Sequence, residues 1–199
     1  MEKNKKLRRA VIVRETKETT VKITLNIDGH GKSDIDCPLG FWSHMLTLFS
    51  FFGGFDIVLE AKGDVHVDDH HLVEDIGICL GDAFYKALGE KKGIKRFGFA
   101  IVPMDETLMQ VAIDISGRPF LGFSIPIIRN KSGYSDVENL QEFMRGFSNH
   151  LCMNLHLHLF SGDNTHHICE ASFKGLGLAL KEAVKIEATG VSSTKGKID

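Results

Sequence analysis

Hydrophobic and polar positions along this chain fall into two series with the same internal order. Residues 10–16 and 20–26 are β-branched and partly alternating, which predicts paired strands turning at Lys17-Glu18. Residues 28–33 are polar and glycine-containing and read as a loop. Residues 41–52 are apolar over helical length, and Gly53-Gly54 stops them. Short runs at 55–61 and 64–67 predict strands, and a long apolar-periodic run from His70 to about Leu88, closed by Gly89, predicts a helix. The series then begins again. Residues 96–103, 107–115 and 118–128 predict strands, 137–149 a helix, 155–160 a half-buried strand, and the run to about 188 a last helix. The same order twice predicts an α+β duplication, residues 1–92 and then 93–199, with the halves stacked sheet against helix in a pseudo-twofold relation. A basic tail (residues 1–7) and a small, polar one (190–199) flank the repeats.

Each long helix opens on His-His-x-x-Glu: His70, His71 and Glu74, then His166, His167 and Glu170. Positions three and four apart share a helix face, so each glutamate lies under both of its histidines. Adjacent histidines diverge by about 100° around the axis, so a pair suits two neighbouring ions. Imidazole nitrogen with carboxylate oxygen, and no thiolate, suits Mn, Fe, Ni or Zn. A single such motif reads as a polar helix cap. Its repetition, with His71 and His167 96 residues apart, favours metal binding. Each motif is preceded by a shorter helix. The first carries His44, 27 residues before His71, and the second Glu142, 25 residues before His167. If those helices correspond, eight ligands serve two octahedral ions with positions left open for substrate.

Composition acts mainly by exclusion. The 199 residues hold 24 Lys+Arg and 26 Asp+Glu, a formal net charge of −2, with no basic stripe for nucleic acid. Cys37, Cys79, Cys152 and Cys169 show no CxxC spacing, which predicts free thiols in a reducing cytoplasm. No apolar segment follows the basic N-terminus, so no secretory signal is expected, and no run reaches the ~18 residues of a membrane span.

Nine motif matches, in order and including the two histidine motifs, make the chain resemble the imidazoleglycerol-phosphate dehydratase family over nearly its whole length. They are Arg14-x-Thr16-x-Glu18-Thr19, Leu25-Asn26-x-Asp28-Gly29-x-Gly31, His44-Met45-Leu46, Gly63-Asp64-x-His66-x-Asp68-Asp69-His70-His71-x-x-Glu74-Asp75, Arg96-Phe97-Gly98, Pro103-Met104-Asp105-Glu106, Ser116-Gly117-Arg118-Pro119, Asn164-x-His166-His167-x-x-Glu170-Ala171-x-Phe173-Lys174 and Ser193-Thr194-Lys195-Gly196. The resemblance implies duplicated units like domain 2 of ribosomal protein S5. It implies subunits assembled as trimers into a shell of twenty-four, with active sites at subunit interfaces. It implies a lyase of L-histidine biosynthesis that converts D-erythro-imidazole-glycerol phosphate to imidazole acetol phosphate through a di-metal-bound imidazolate.

The same resemblance assigns residues. One Mn2+ would take His44, His71, His166 and Glu170, and the other His70, Glu74, Glu142 and His167, with Zn, Fe or Ni as substitutes. Glu18 would be the catalytic base, acting beside His71 and His167. Arg96, Arg118, Lys174, Ser193 and Lys195 would hold the substrate phosphate, the last two on a C-terminal tail that covers the substrate. The chain departs from the family at Ser43, where Asp or Asn is usual, at Phe52, where histidine is usual, and at Glu142, where many members carry histidine. Two other readings compete. One is a dinuclear metallohydrolase of a phosphate ester, using the same ions to activate water. The other is metal storage or a metal-stabilised assembly.

Overall fold

The computed structural model describes residues 7–126, 131–132, 135–136, 138–187 and 189–198. The expected strand end at 127–128, helix start at 137 and tail residues 1–6 lie outside them, while the last helix, expected to reach about 188, already stops at Ala183. The first half runs β1 (Arg9–Glu15), β2 (Thr19–Asn26), β3 (Ser33–Asp36), α1 (Gly40–Gly53), β4 (Asp56–Gly63) and α2 (His70–Leu88). The second runs β5 (Phe97–Met104), β6 (Thr107–Asp114), β7 (Phe120–Ser124), the two-residue pair β8 (Lys131–Ser132) and β9 (Ser135–Asp136), α3 (Asn139–Leu151), β10 (Asn154–Ser161) and α4 (Thr165–Ala183). Sheet orders β1-β2-β4-β3 and β5-β6-β10-β7 are the same arrangement, each with one parallel pair at β3–β4 and β7–β10.

Register makes the duplication quantitative. Arg9 faces Asn26 as Phe97 faces Asp114, so the leading hairpins correspond 88 residues apart. Helix α1 ends on Gly54 and α3 on Cys152, both left-handed, and each N–H returns to carbonyls three and four residues back. These ends lie 98 residues apart, which makes Glu142 the counterpart of His44. The motif helices α2 and α4 correspond 96 residues apart.

The four helices lie between the sheets. Helix α2 covers β1 and β2 and packs on α3, while α4 covers β5 and β6 and packs on α1. Phe49, Phe84, Phe143, Phe147, Phe173 and Trp42 are all but completely buried at the helix interfaces and interlock edge-on or stacked. Counterpart glycines permit the close approach. A Cβ at Gly81 would stand 2.7 Å from the Phe147 carbonyl oxygen, and one at Gly177 2.8 Å from that of Phe49.

Two local expectations need correction. Residues 64–67 form a turn, with Val67 N–H donating to the Asp64 carbonyl at 2.8 Å, and are not a strand. Val65 and Val67 are exposed, so their alternation has no core to face. Strand β3 begins at the last residue of the expected loop and runs on through residues that carried no expectation, because Ser-Asp-Ile-Asp holds a single apolar side chain.

Candidate active site

The motif histidines sit at helix starts because local polar groups hold the chain there. Asn164 caps α4, its side-chain oxygen accepting from the N–H groups of His166 and His167 at 3.0 and 3.3 Å. At α2 the Asp68 carboxylate accepts from His70 N–H at 2.9 Å, and Trp42 Nε1 donates to Asp69 at 3.3 Å, tying α1 to this turn.

Packing of α1 on α4 brings three expected ligands together. His44 Nε2 and His166 Nε2 each lie 2.9 Å from Glu170 Oε1. Lys174 Nζ is 2.6 Å from Glu170 Oε2. Burial alone would raise the Glu170 carboxyl, but the bonds from Lys174, His44 and His166 outweigh it and hold it at about 2. By correspondence, Glu142, His70 and Glu74 are the equivalent positions on α3 and α2, but the chain does not draw them onto one another in the same way. There His70 Nδ1 lies 3.1 Å from Asn139 Oδ1, and Arg145 pairs with Glu142.

The second histidine of each motif faces elsewhere and is tied at Nδ1. His71 Nδ1 is 3.0 Å from Asp64 Oδ2, and Glu18 Oε2 lies 4.0 Å from the same nitrogen. His167 Nδ1 is 2.8 Å from Glu106 Oε2. The hydrogen bond with Asp64 raises the His71 pKa, and that with Glu106 raises the His167 pKa. Glu106 is correspondingly held at about 2, first by His167 and further by Thr107 and the Asn164 N–H. Both histidines thereby keep Nε2 for a ligand, the arrangement in which a carboxylate orients a metal-binding imidazole. Two nitrogens within hydrogen-bond reach of one carboxylate oxygen, in a set without thiolates, fit a hard or borderline divalent ion. Asp64, Glu106, Asn139 and Asp105, whose Oδ2 stands 3.9 Å from His167 Nε2, had no assigned role in the sequence, though Asp64, Glu106 and Asp105 stood inside matched motifs, which was the available signal.

The expected phosphate set divides. Lys174 lies at the histidine end, beside Met104 Sδ at 3.4 Å and over the Phe52 ring at 5.8 Å. Arg96 lies at the other end of β5. Its Nε and Nη2 are 2.6 and 2.9 Å from the Asp114 carboxylate, and its Nη1 donates to the Ser192 carbonyl at 3.0 Å, which anchors the tail bearing Ser193 and Lys195. Arg118 is exposed at the same end. At about 3.3 Å per residue, the eight residues of β5 put roughly 26 Å between Arg96 and Glu106.

Comparison with known proteins identifies the family. The family model for imidazoleglycerol-phosphate dehydratase matches residues 37–180. The imidazoleglycerol-phosphate dehydratase of Desulforudis audaxviator is 50% identical over 97% of this chain and 99% of its own. That of Citrifermentans bemidjiense is 52% identical over 96% and 99%. The crystal structure of the Pyrococcus furiosus enzyme superposes with a TM-score of 0.82 at 41% identity, covering 94% of this chain and 99% of that one. The Staphylococcus aureus enzyme gives 0.79 at 38% identity, over 89% and 100%. The chain belongs to the imidazoleglycerol-phosphate dehydratase family.

Proposed function

We propose that this protein dehydrates D-erythro-imidazole-glycerol phosphate to imidazole acetol phosphate, a step of L-histidine biosynthesis. The observation that carries the reading is the convergence of His44 and His166 on Glu170, in a family-length match. His44, His166 and Glu170 would hold one ion with the His71 of a second copy, since within one chain His71 faces away from the trio, and His70, Glu74 and Glu142 would hold the other with a His167 supplied in the same way. Two Mn2+ ions there would supply the positive charge that lets the imidazole ring of the substrate accept electrons.

The elimination removes a hydroxyl from the carbon attached to the ring and a proton from the next carbon. The resulting enol then becomes the ketone, and water leaves. Glu18 is the base in this reading. Its side chain is 58% exposed beside His71, close enough to work on a substrate held there. Asp64 and Glu106 keep the two imidazoles aimed. Arg118, Lys195, Ser193, Lys174 and Arg96 would receive the phosphate, with Arg96 also holding Asp114 and fixing the tail through Ser192.

Roughly 26 Å between the histidine end and the arginine end supports a site completed by another copy of the chain. This is the reading in which trimers build a shell of twenty-four. The four cysteines, all free, support a reducing, cytoplasmic setting. Among the described residues no helix is long and apolar enough to cross a membrane.

Turnover of imidazole-glycerol phosphate by metal-stripped protein, with and without Mn2+, tests the reaction. Ketone formed only with metal is the expected result. No product from protein holding two ions per chain would overturn it. Mixing His44→Ala with Arg118→Ala subunits tests the shared site, and recovered activity is expected only after subunits exchange.

A further inference from the structure

The arginine clamp of the second sheet has a counterpart in the first. Arg8 Nε and Nη2 lie 3.0 and 2.6 Å from the Asp28 carboxylate, and its Nη1 donates to the Val184 carbonyl. The Arg8 carbonyl accepts from Ile27 N–H at 3.0 Å, as the Arg96 carbonyl accepts from Ile115 N–H at 3.1 Å. A glycine and a basic residue follow in each half, Gly29-His30 and Gly117-Arg118.

A cavity of about 830 Å3 opens beside the first clamp, between the 28–30 loop and the C-terminal ends of α1 and α4. Its size suits a small organic ligand. The cavity has an apolar base and wall: Phe55 and Val184 are buried, while Phe51 and Leu178 present exposed carbon. His30, Lys181 and Lys185 stand at its rim, and all three are exposed. The carboxylates in the lining are already matched, Asp28 by Arg8 and Glu182 by Lys95. Lys185 pairs with Glu187 at 2.8 Å on the surface, where such a pair exchanges readily. Lys181 makes no ion pair among the described residues. His44 lies ten residues before Gly54 on α1, so the cavity is about 15 Å along the helix from the histidine cluster.

We propose that this cavity is a second ligand site, for a small phosphate monoester with an apolar or aromatic body. Lys181, His30 and Lys185 take the anionic head, and Phe51 and Leu178 take the body. The likeness to the Arg96 clamp rests on the reading of Arg118 as a phosphate contact, whereas the cavity and its cations stand apart from it.

Phenyl phosphate titrated calorimetrically into the metal-loaded, full-length protein tests the proposal. Two classes of site are expected. Lys181→Glu weakens one about tenfold or more and leaves turnover unchanged, while Arg118→Ala weakens the other. A single class, lost in Arg118→Ala and unmoved by Lys181→Glu, would overturn the second site. So would phenol binding as tightly as phenyl phosphate, since the anionic head would then do nothing. If Lys181→Glu weakens one class and Arg118→Ala touches neither, the second site holds and the reading of Arg118 fails.

Discussion

Glu18 and Glu106 occupy the same place in the two halves, one residue before the threonine that opens the second strand of each hairpin. Their surroundings differ. In the second half Thr107 Oγ1 lies 2.9 Å from Glu106 Oε1, and the carboxylate is fastened to His167 at 2.8 Å. In the first half Thr19 is hydrogen-bonded to the buried Asp75, which also holds Arg14 at 2.7 Å. The second half carries Ala171 and Val102 where the first has Asp75 and Arg14, so no carboxylate stands at that place to compete for Thr107. Glu18, left without its threonine, stands 4.0 Å from His71, whose Nδ1 is taken by Asp64 instead. A duplicated scaffold can thus leave one of two equivalent carboxylates less firmly fastened by giving its threonine another bond to make.

The largest effect that separates the pair is on catalysis. Glu18→Gln is expected to lower kcat by roughly 10^2 to 10^4, with two ions per chain still present by elemental analysis. Glu106→Gln should instead weaken Mn2+ binding about 10- to 100-fold, with turnover restored by added metal. Variants that lose rate and metal alike would erase the distinction.

Stability gives a smaller contrast. Asp75→Ala is expected to cost about 1–3 kcal/mol in denaturant unfolding, since it strands the partly exposed Arg14 and the Thr19 hydroxyl. Replacing Arg14 and Asp75 together by the Val and Ala of the other half should cost less than Asp75→Ala alone. A double variant worse than the single would mean the halves do not tolerate each other's packing.

The smallest effect is on acid stability. Glu170 is held at about 2 against an ordinary 4.5, so the folded state binds its proton less readily than the unfolded chain. Its contribution is therefore present above pH 4.5 and fades as pH falls toward 2. Metal-free protein should lose about 1 kcal/mol more between pH 7 and pH 4 than Glu170→Gln does, read from urea midpoints. Equal losses would remove the Lys174–Glu170 pair from the account.

Much of the fold was legible because its signals are local. The run from His70 to Leu88, closed by Gly89, is the helix α2 observed. The order of strands and helices in each half is also the one anticipated, the short β8–β9 pair aside, except at β3 and the turn at 64–67. Those two failed because four residues of alternation do not reveal whether a sheet edge is there to receive them. The histidines and glutamates could be picked out by type and spacing. Their orienting partners could not, since Asp64 reaches His71 through a turn, and Glu106 reaches His167 across 61 residues. The clamp of Arg8 on Asp28 escaped for a similar reason. Laid over each other at 88 residues the two hairpins match Arg8 to Arg96 but set Asp28 on Ser116 and Asp114 on Asn26, so the shared clamp shows only in three dimensions.

The buried thiols of the motif helices carry a consequence for how opening of the chain can be timed. Cys79 in α2 and Cys169 in α4 are closed to solvent, and burial pushes both up to about 12. Neither reacts while its helix stays packed, since the thiolate is the attacking form. Each regains an ordinary, reactive thiol only when its own half lets water in. Peptide-resolved labelling of the two cysteines is therefore a pair of stopwatches, one per repeat, running on whichever half loosens first.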